Sequence, residues 1–221
     1  MTRDTLLSVL PSDLSARLIG QASTVALAAN QTLFAAGDAC DGCYHVIEGL
    51  LKVVMVLPSR RERILAILGP GGFAGELSLM DGAPRSASVV AIRASKLYFI
   101  TCAAFDELGR TNPELYRYTA NLLARRLRDN SVNLAMSSPS VKVGAARALL
   151  GLADAFGKDV GAGRILIRHR VSQRDLAAMA GIARENLSRI LQDWMRGALV
   201  SRLAGYYCIE NKTALEREAD V

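Results

Sequence analysis

Between Val25 and Ile100 the apolar positions fall in short runs separated by glycine: TLFAAGD, CYHVIEG, LKVVMVLP, RILAILGPGG, SASVVAI and KLYFI. Runs of this length, rich in valine and isoleucine and bounded by turn residues at fairly even intervals, predict an all-β roll or barrel. After Thr101 the period changes. Tyr116, Ala120, Leu123, Leu127, Asn130 and Leu134 are spaced alternately four and three apart, the a/d seam of a parallel coiled coil. This predicts a long helix that pairs with a second copy, with Asn130 fixing register and two-strandedness.

Ser137-Ser138-Pro139-Ser140 breaks that helix, as clustered serine and proline should, and predicts a hinge. Beyond it the pattern predicts an apolar helix (VGAARALLGLADAF), a glycine-bearing connection (GKDVGAG), a strand (RILIRH), two short helices and a final strand pair (ALVSRL, YYCIEN). The charged tail ALEREADV is expected to fray.

The two short helices lie in VSQRDLAAMAGIARENLSRILQDW, residues 171–194. Ser172 is placed to cap the first, with Asp175 completing a partial capping box, and Gly181 supplies the turn. The segment is therefore a helix-turn-helix. Leu187, Ile190, Leu191 and Trp194 form one buried face of its second helix, which leaves Arg184, Glu185, Ser188, Arg189 and Gln192 on the other. Arginine pairs with guanine O6 and N7, and glutamate accepts from cytosine N4. Arg184, Glu185 and Arg189 are thus a candidate base-reading set; a merely solvated helix face accounts less well for two arginines beside one glutamate after a glycine turn.

Composition narrows the class. A chain of 221 residues that is 51% hydrophobic and 22% charged has the balance of a folded globular protein, and its length favours two domains over one. The start, MTRDTLLSVLPSDL, makes a poor signal peptide, and no run approaches the length of a membrane span; a soluble, cytoplasmic protein is expected. Lys and Arg outnumber Asp and Glu by 27 to 21, a net charge of +6 that suits a polyanionic partner without proving one. Cys40, Cys43, Cys102 and Cys208 are too sparse for a disulfide framework. Cys40 and Cys43 form a CxxC, but no second ligand pair accompanies it and His45 alone does not complete a tetrahedral site. No metal is expected, and thiols that pack or sit idle are favoured over a redox role. There is no nucleophile and base pair, no Walker A lysine and no Rossmann glycine fingerprint, so no enzyme, nucleoside triphosphate site or dinucleotide site is expected.

One short stretch, GELSLMDGAPRSAS at residues 75–88, resists reading as an ordinary helix or strand. From about residue 25 to 212 the chain resembles the cyclic-AMP receptor protein branch of the Crp/Fnr superfamily of bacterial transcription regulators. GELSLMDGAPRSA is similar to that family's phosphate-binding cassette, and GIARENLSRIL is similar to its recognition helix, in which an R-E-x-x-x-R pattern reads a TGTGA-type half-site. The resemblance implies an α+β fold. A jelly-roll-like cyclic-nucleotide-binding β-roll would span 1–110, a dimerisation helix 111–136, a hinge 137–140 and a C-terminal winged helix-turn-helix 141–221. It implies a homodimer that acts on double-stranded DNA, with RNA polymerase as a further partner and cyclic AMP as an allosteric effector.

Carried over by position, Arg184, Glu185 and Arg189 match the family's base contacts, with Ser188 on the same face, and Ser172 and Arg174 match its phosphate contacts. Ala183 stands where many relatives have a phosphate-touching serine. That change should lower affinity modestly and leave specificity alone, because phosphate contacts position while base contacts specify. In the cassette, Arg85 can neutralise a phosphodiester with paired donors. Gly75 permits close backbone approach, main-chain amides around Glu76 and Ser86 can cradle the same oxygens, and Glu76 can accept from a ribose 2′-hydroxyl. The resemblance makes Gly75, Glu76, Leu77, Arg85 and Ser86 the ligand set, with Asn130 and Ser131 standing where the family has two hydroxyl residues that meet the base. Asparagine can pair with adenine N6 and N7. The alternative reading of the stretch is a tight turn held by an Arg85–Glu76 ion pair with no ligand.

Overall fold

The computed structural model describes residues 7, 10–58, 60, 62–135 and 140–220, with side chains described throughout except over 129–135. The chain divides into two compact units, one holding the described residues up to 135 apart from 62–64, the other holding 62–64 and 140–220. The hinge expected at 137–140 lies outside the described residues except for Ser140.

The first unit is the β-roll that the short apolar runs predict. Helix α1 (Ser12–Gly20) precedes strands β1 (Ser23–Leu27), β2 (Thr32–Phe34), β3 (Gly42–Val56), β4 (Glu62–Leu68), β5 (Phe73–Ala74) and β6 (Ser88–Thr101), with helix α2 (Glu76–Asp81) between β5 and β6. Strands β3 and β6 form the spine. They pair antiparallel from Gly42↔Thr101 to Val54↔Ser88, with register shifts between Val46 and Leu51 that bend the ribbon. Strands β1 and β2 add to β6, and β4 and β5 add to β3. Leu27, Val46, Leu51, Leu68, Val89 and Leu97 pack between the layers. A second cluster, including Leu14, Leu18, Cys43, Phe73, Ile100 and Phe105, seats the helices against the roll.

Helix α3 (Cys102–Thr111) leads into α4 (Glu114–Ala135). The break has a local cause. Asn112 precedes Pro113, and a residue before proline is pushed out of the helical region; Asn112 accordingly sits at φ −139°, ψ 76°. Leu115, Thr119 and Leu122 turn one face of α4 into the roll.

In the second unit α5 (Val141–Phe156) starts on Ser140, whose hydroxyl accepts from Val143 N–H. Strands β7 (Gly157–Asp159), β8 (Ile165–Ile167), β9 (Val200–Leu203) and β10 (Tyr206–Ile209) form a sheet in the order β7-β8-β10-β9, around helices α6 (Gln173–Ala180) and α7 (Arg184–Arg196). This is the winged helix-turn-helix, and the whole is the α+β architecture expected. Two details differ from the sequence reading. The glycine-bearing connection contributes strand β7. The tail does not fray: it forms α8 (Lys212–Ala219), capped by Asn211 and anchored by buried Leu215 and Ala219, because an apolar residue every fourth position gives that charged helix a face to bury.

Candidate functional site

The cassette is a helix flanked by two left-handed glycines. Gly75 at φ +86° and Gly82 at φ +68° bracket α2, so the first half of the stretch that resists a simple reading is a single short helix with glycine at both ends, and the half that carries Arg85 and Ser86 follows outside helix and strand. Gly75 is required on two counts. Its backbone lies in a region that side-chain-bearing residues pay to enter, and a Cβ there would overlap Arg85 Nη1 and lie 3.1 Å from the Gly42 carbonyl.

Arg85 is 3% exposed and held on several sides by the roll. Nη1 donates to the Gly75 carbonyl at 3.0 Å, and Nη2 donates to the Gly42 carbonyl at 2.7 Å and to Asp41 Oδ1. The guanidinium lies 4.4 Å over the ring of Phe34. Main-chain bonds on either side fix its backbone: Arg85 N–H donates to Asp38 O and Gly37 N–H to Arg85 O, both at 2.8 Å. One nitrogen is left without a partner. Nε is buried and has no hydrogen-bond partner, a state that costs free energy until an acceptor meets it. Asp41 Oδ2 accepts from Tyr44 Oη at 2.8 Å; burial, then that bond, pushes the Tyr44 hydroxyl well above its ordinary range.

Glu76 is 5% exposed, and its partner is Arg126 of α4, whose Nη1 pairs with Glu76 Oε1 while Nη2 donates to Phe73 O at 2.7 Å. The Arg85–Glu76 pair expected for a ligand-free turn therefore does not form. The two charges of the cassette have separate partners, Asp41 and Arg126. Leu77 and Ser86 are exposed at the surface of the cassette. Asn130 and Ser131 lie on α4, but their side chains fall outside the described residues. Along the predicted seam Leu127 is 68% exposed and Leu123 half-buried, whereas Tyr116 packs its ring edge-on against Phe105, 5.8 Å away. Exposure along the predicted seam thus begins one turn later than its spacing suggests.

In the second unit α6 starts on Ser172. Its hydroxyl accepts from Asp175 N–H at 3.0 Å and donates to Asp175 Oδ2 at 2.7 Å, the capping expected, and the same hydroxyl was the expected phosphate contact. Gly181 ends α6 at φ +70°. Helix α7 buries Leu187, Ile190, Leu191 and Trp194, as its periodicity predicts. Arg184, Glu185, Arg189 and Gln192 are exposed and Ser188 half-buried, and with Gln173 they line one polar concavity of about 330 Å³. Arg174 is exposed on α6. Ala183, at the N-cap of α7, makes no side-chain cap bond.

Residues 24–112 match the cyclic nucleotide-binding domain, and residues 145–218 match the Crp-like helix-turn-helix domain. The CRP-like cAMP-activated global transcriptional regulator of Mycobacterium tuberculosis is 31% identical over 213 residues, covering 96% of this chain and 91% of that protein. The chain belongs to the Crp/Fnr family of transcription regulators. The cyclic AMP receptor protein of Thermus thermophilus is 37% identical to this Crp/Fnr regulator over 161 residues, 72% of this chain and 70% of that protein. The c-di-GMP-responsive global regulator of Xanthomonas campestris superimposes with a TM-score of 0.73 at 22% identity, over 91% of this chain and 100% of that one. That last likeness shows the fold alone.

Sequence reasoning on this Crp/Fnr regulator missed Asp41, Phe34, Arg126 and Gln173. Asp41 sits in the CDGC motif, whose two cysteines are its more legible chemistry. Arg126 sits in an arginine-rich stretch of α4 that reads as solvated surface; only its position opposite a buried carboxylate marks it. Among the described residues, no group of three or more His, Cys, Asp or Glu side chains is placed to hold a metal ion, and no helix is long and apolar enough to cross a membrane.

Proposed function

We propose that this regulator binds a cyclic nucleotide, cyclic AMP, at the 75–88 cassette, and that the bound form is a homodimer that reads a TGTGA-like palindrome through Arg184, Glu185 and Arg189. The observation that carries the reading is the buried Arg85 guanidinium with its unmet Nε beside the bare Cα of Gly75. A buried cationic donor without an acceptor favours an anionic oxygen, and the bare Cα of Gly75 is what lets the guanidinium sit there. The two relatives named for cyclic AMP support that effector.

In this reading Arg85 holds the phosphate, Glu76 orients the ribose and Ser86 adds a hydroxyl at the cassette's rim, while Asn130 and Ser131 meet the base. Asp41 and the phosphate compete for Nη2. The exposed Leu127 belongs to the seam that a second copy covers. On DNA, Arg189 and Arg184 present donors to guanine and Glu185 an acceptor to cytosine, with Ser172, Arg174 and Ser188 at the phosphates. The nucleotide shifts the protein toward the DNA-binding arrangement only by its differential affinity for the two states.

The test is fluorescence anisotropy of a labelled duplex carrying a TGTGA palindrome, titrated at fixed salt with and without cyclic AMP. Tightening on addition of cyclic AMP, lost in Arg85→Ala, is the expected result. An Arg85→Ala protein that responds normally refutes the assignment. A second reading is a regulator that needs no ligand or takes another effector. It draws on the fact that both Nη groups of Arg85 and Oε1 of Glu76 already have partners within the chain, and it predicts equal DNA binding in both conditions.

A further inference from the structure

The thiol pair of this roll is not the one its CxxC motif suggests. Cys43 is completely buried among Phe73, Ile100 and Phe105, where burial, and next the nearby Glu76 carboxylate, pushes its thiol well up. Cys40 instead meets Cys102, with the two sulfurs 3.3 Å apart and hydrogen-bonded. Their neighbourhood is held by the ladder itself. Gly42 pairs with Thr101 at the end of the β3–β6 ribbon, and Cys102 N–H donates to Asp41 O at 3.3 Å. Cys102 is the first residue of α3, where the Thr101 side chain caps the helix, so its Cα is fixed. Both cysteines are half-buried rather than sealed in the core.

We propose that Cys40 and Cys102 are an oxidisable dithiol that closes to a disulfide across the clasp of Arg85. A disulfide sulfur pair lies about 2.05 Å apart, so the thiols need approach each other by little more than an ångström. With hydrogen peroxide as the oxidant, one thiol gives up its proton and its sulfur attacks a peroxide oxygen; the O–O bond breaks, and the departing hydroxide takes that proton to leave as water. The second sulfur then attacks the resulting sulfenic sulfur and expels hydroxide, which takes the remaining thiol proton as a second water. Two thiols lose one electron each and the peroxide gains both. Intracellular disulfides of this kind are usually transient and redox-sensing.

The consequence follows from the next two residues. Asp41 and Gly42 are the groups that hold Arg85 Nη2. Linking Cys40 to the start of α3 pins them there, so an incoming phosphate displaces Asp41 less readily. This part rests on the cyclic-nucleotide reading; the disulfide does not. Oxidation should weaken cyclic AMP binding on the order of 5- to 10-fold, the lower range of couplings between sites.

The full chain, reduced and then treated with hydrogen peroxide, is blocked with an alkylating reagent, digested without reductant and mapped by mass spectrometry, while calorimetry measures cyclic AMP affinity before oxidation, after it and after re-reduction. A Cys40–Cys102 cross-linked peptide, weaker binding that re-reduction restores, and a peroxide-insensitive affinity in Cys102→Ser are the expected results. A Cys40–Cys43 link, or both thiols recovered uncross-linked, overturns the dithiol. A Cys40–Cys102 link with unchanged affinity overturns its control of the site. Reduced wild type that binds no cyclic AMP sinks the cyclic-nucleotide reading instead, and the peptide map still decides the dithiol.

Discussion

Two glycines at the ends of one short helix separate backbone strain from contact. Gly75 and Gly82 both adopt left-handed conformations, at φ +86° and +68°, but a Cβ at Gly82 meets nothing within 4 Å, whereas one at Gly75 overlaps a buried guanidinium. Alanine in the left-handed region costs about 1–2 kcal/mol, offset by roughly 0.4–1 kcal/mol from the stiffer unfolded chain. Gly82→Ala should therefore lose about 1 kcal/mol. Gly75→Ala must also push Arg85 Nη1 off the Gly75 carbonyl, and a hydrogen bond to a charged group is worth about 1.5–3 kcal/mol. Nη2 is tied to Gly42 and Asp41, so the guanidinium has nowhere to retreat, and the total approaches about 3 kcal/mol. At roughly 3 °C per kcal/mol for a domain of this size, the roll should melt about 9 °C lower in Gly75→Ala and about 3 °C lower in Gly82→Ala. Thermal unfolding followed by circular dichroism measures both. Equal losses would refute the claim that Arg85 is locked against Gly75.

Arg126→Gln strips Glu76 of its ion pair and Phe73 O of a donor; because Arg126 is 35% exposed and water screens the loss, about 1–2 kcal/mol is expected in urea unfolding. The two caps of the reader should move in opposite directions: Ser172→Ala lowers stability by about 1 kcal/mol, and Ala183→Ser, which supplies α7 with the cap it lacks, raises it by a similar amount. Burial lowers the pKa of His45, so the unfolded chain takes up a proton that the folded one refuses. The contribution is complete above the unfolded value of about 6.5 and is lost as pH falls through the folded value; a pH series of denaturation midpoints should show that loss, flattened in His45→Gln. On DNA, Arg189→Ala should relax discrimination at one base pair by about 1–3 kcal/mol, while Arg174→Ala should weaken all duplexes alike and reduce the salt slope, as read by anisotropy.

What local periodicity and turn chemistry control can be read along the chain. Short β runs, the helix after Thr101, the cap at Ser172 and the buried stripe Leu187, Ile190, Leu191 and Trp194 all depend on near neighbours, so they are legible along the chain; Ser140, read only as part of a hinge, also caps α5. The polar set on α7 belongs to this class too, because opposite faces of one helix are fixed once its period is known. The tail ALEREADV belonged there as well, yet its charge hid the apolar residues that bury it. Pairings across the roll are different. Arg85 has a carboxylate nine residues away in Glu76, but its partner is Asp41, and Glu76 in turn takes Arg126 from α4. Cys40 has Cys43 three residues away and meets Cys102 instead. In each case the β3–β6 register and the packing of α4 bring distant backbone together, and side chains in a strand alternate faces, so proximity in sequence does not decide which charges and thiols meet.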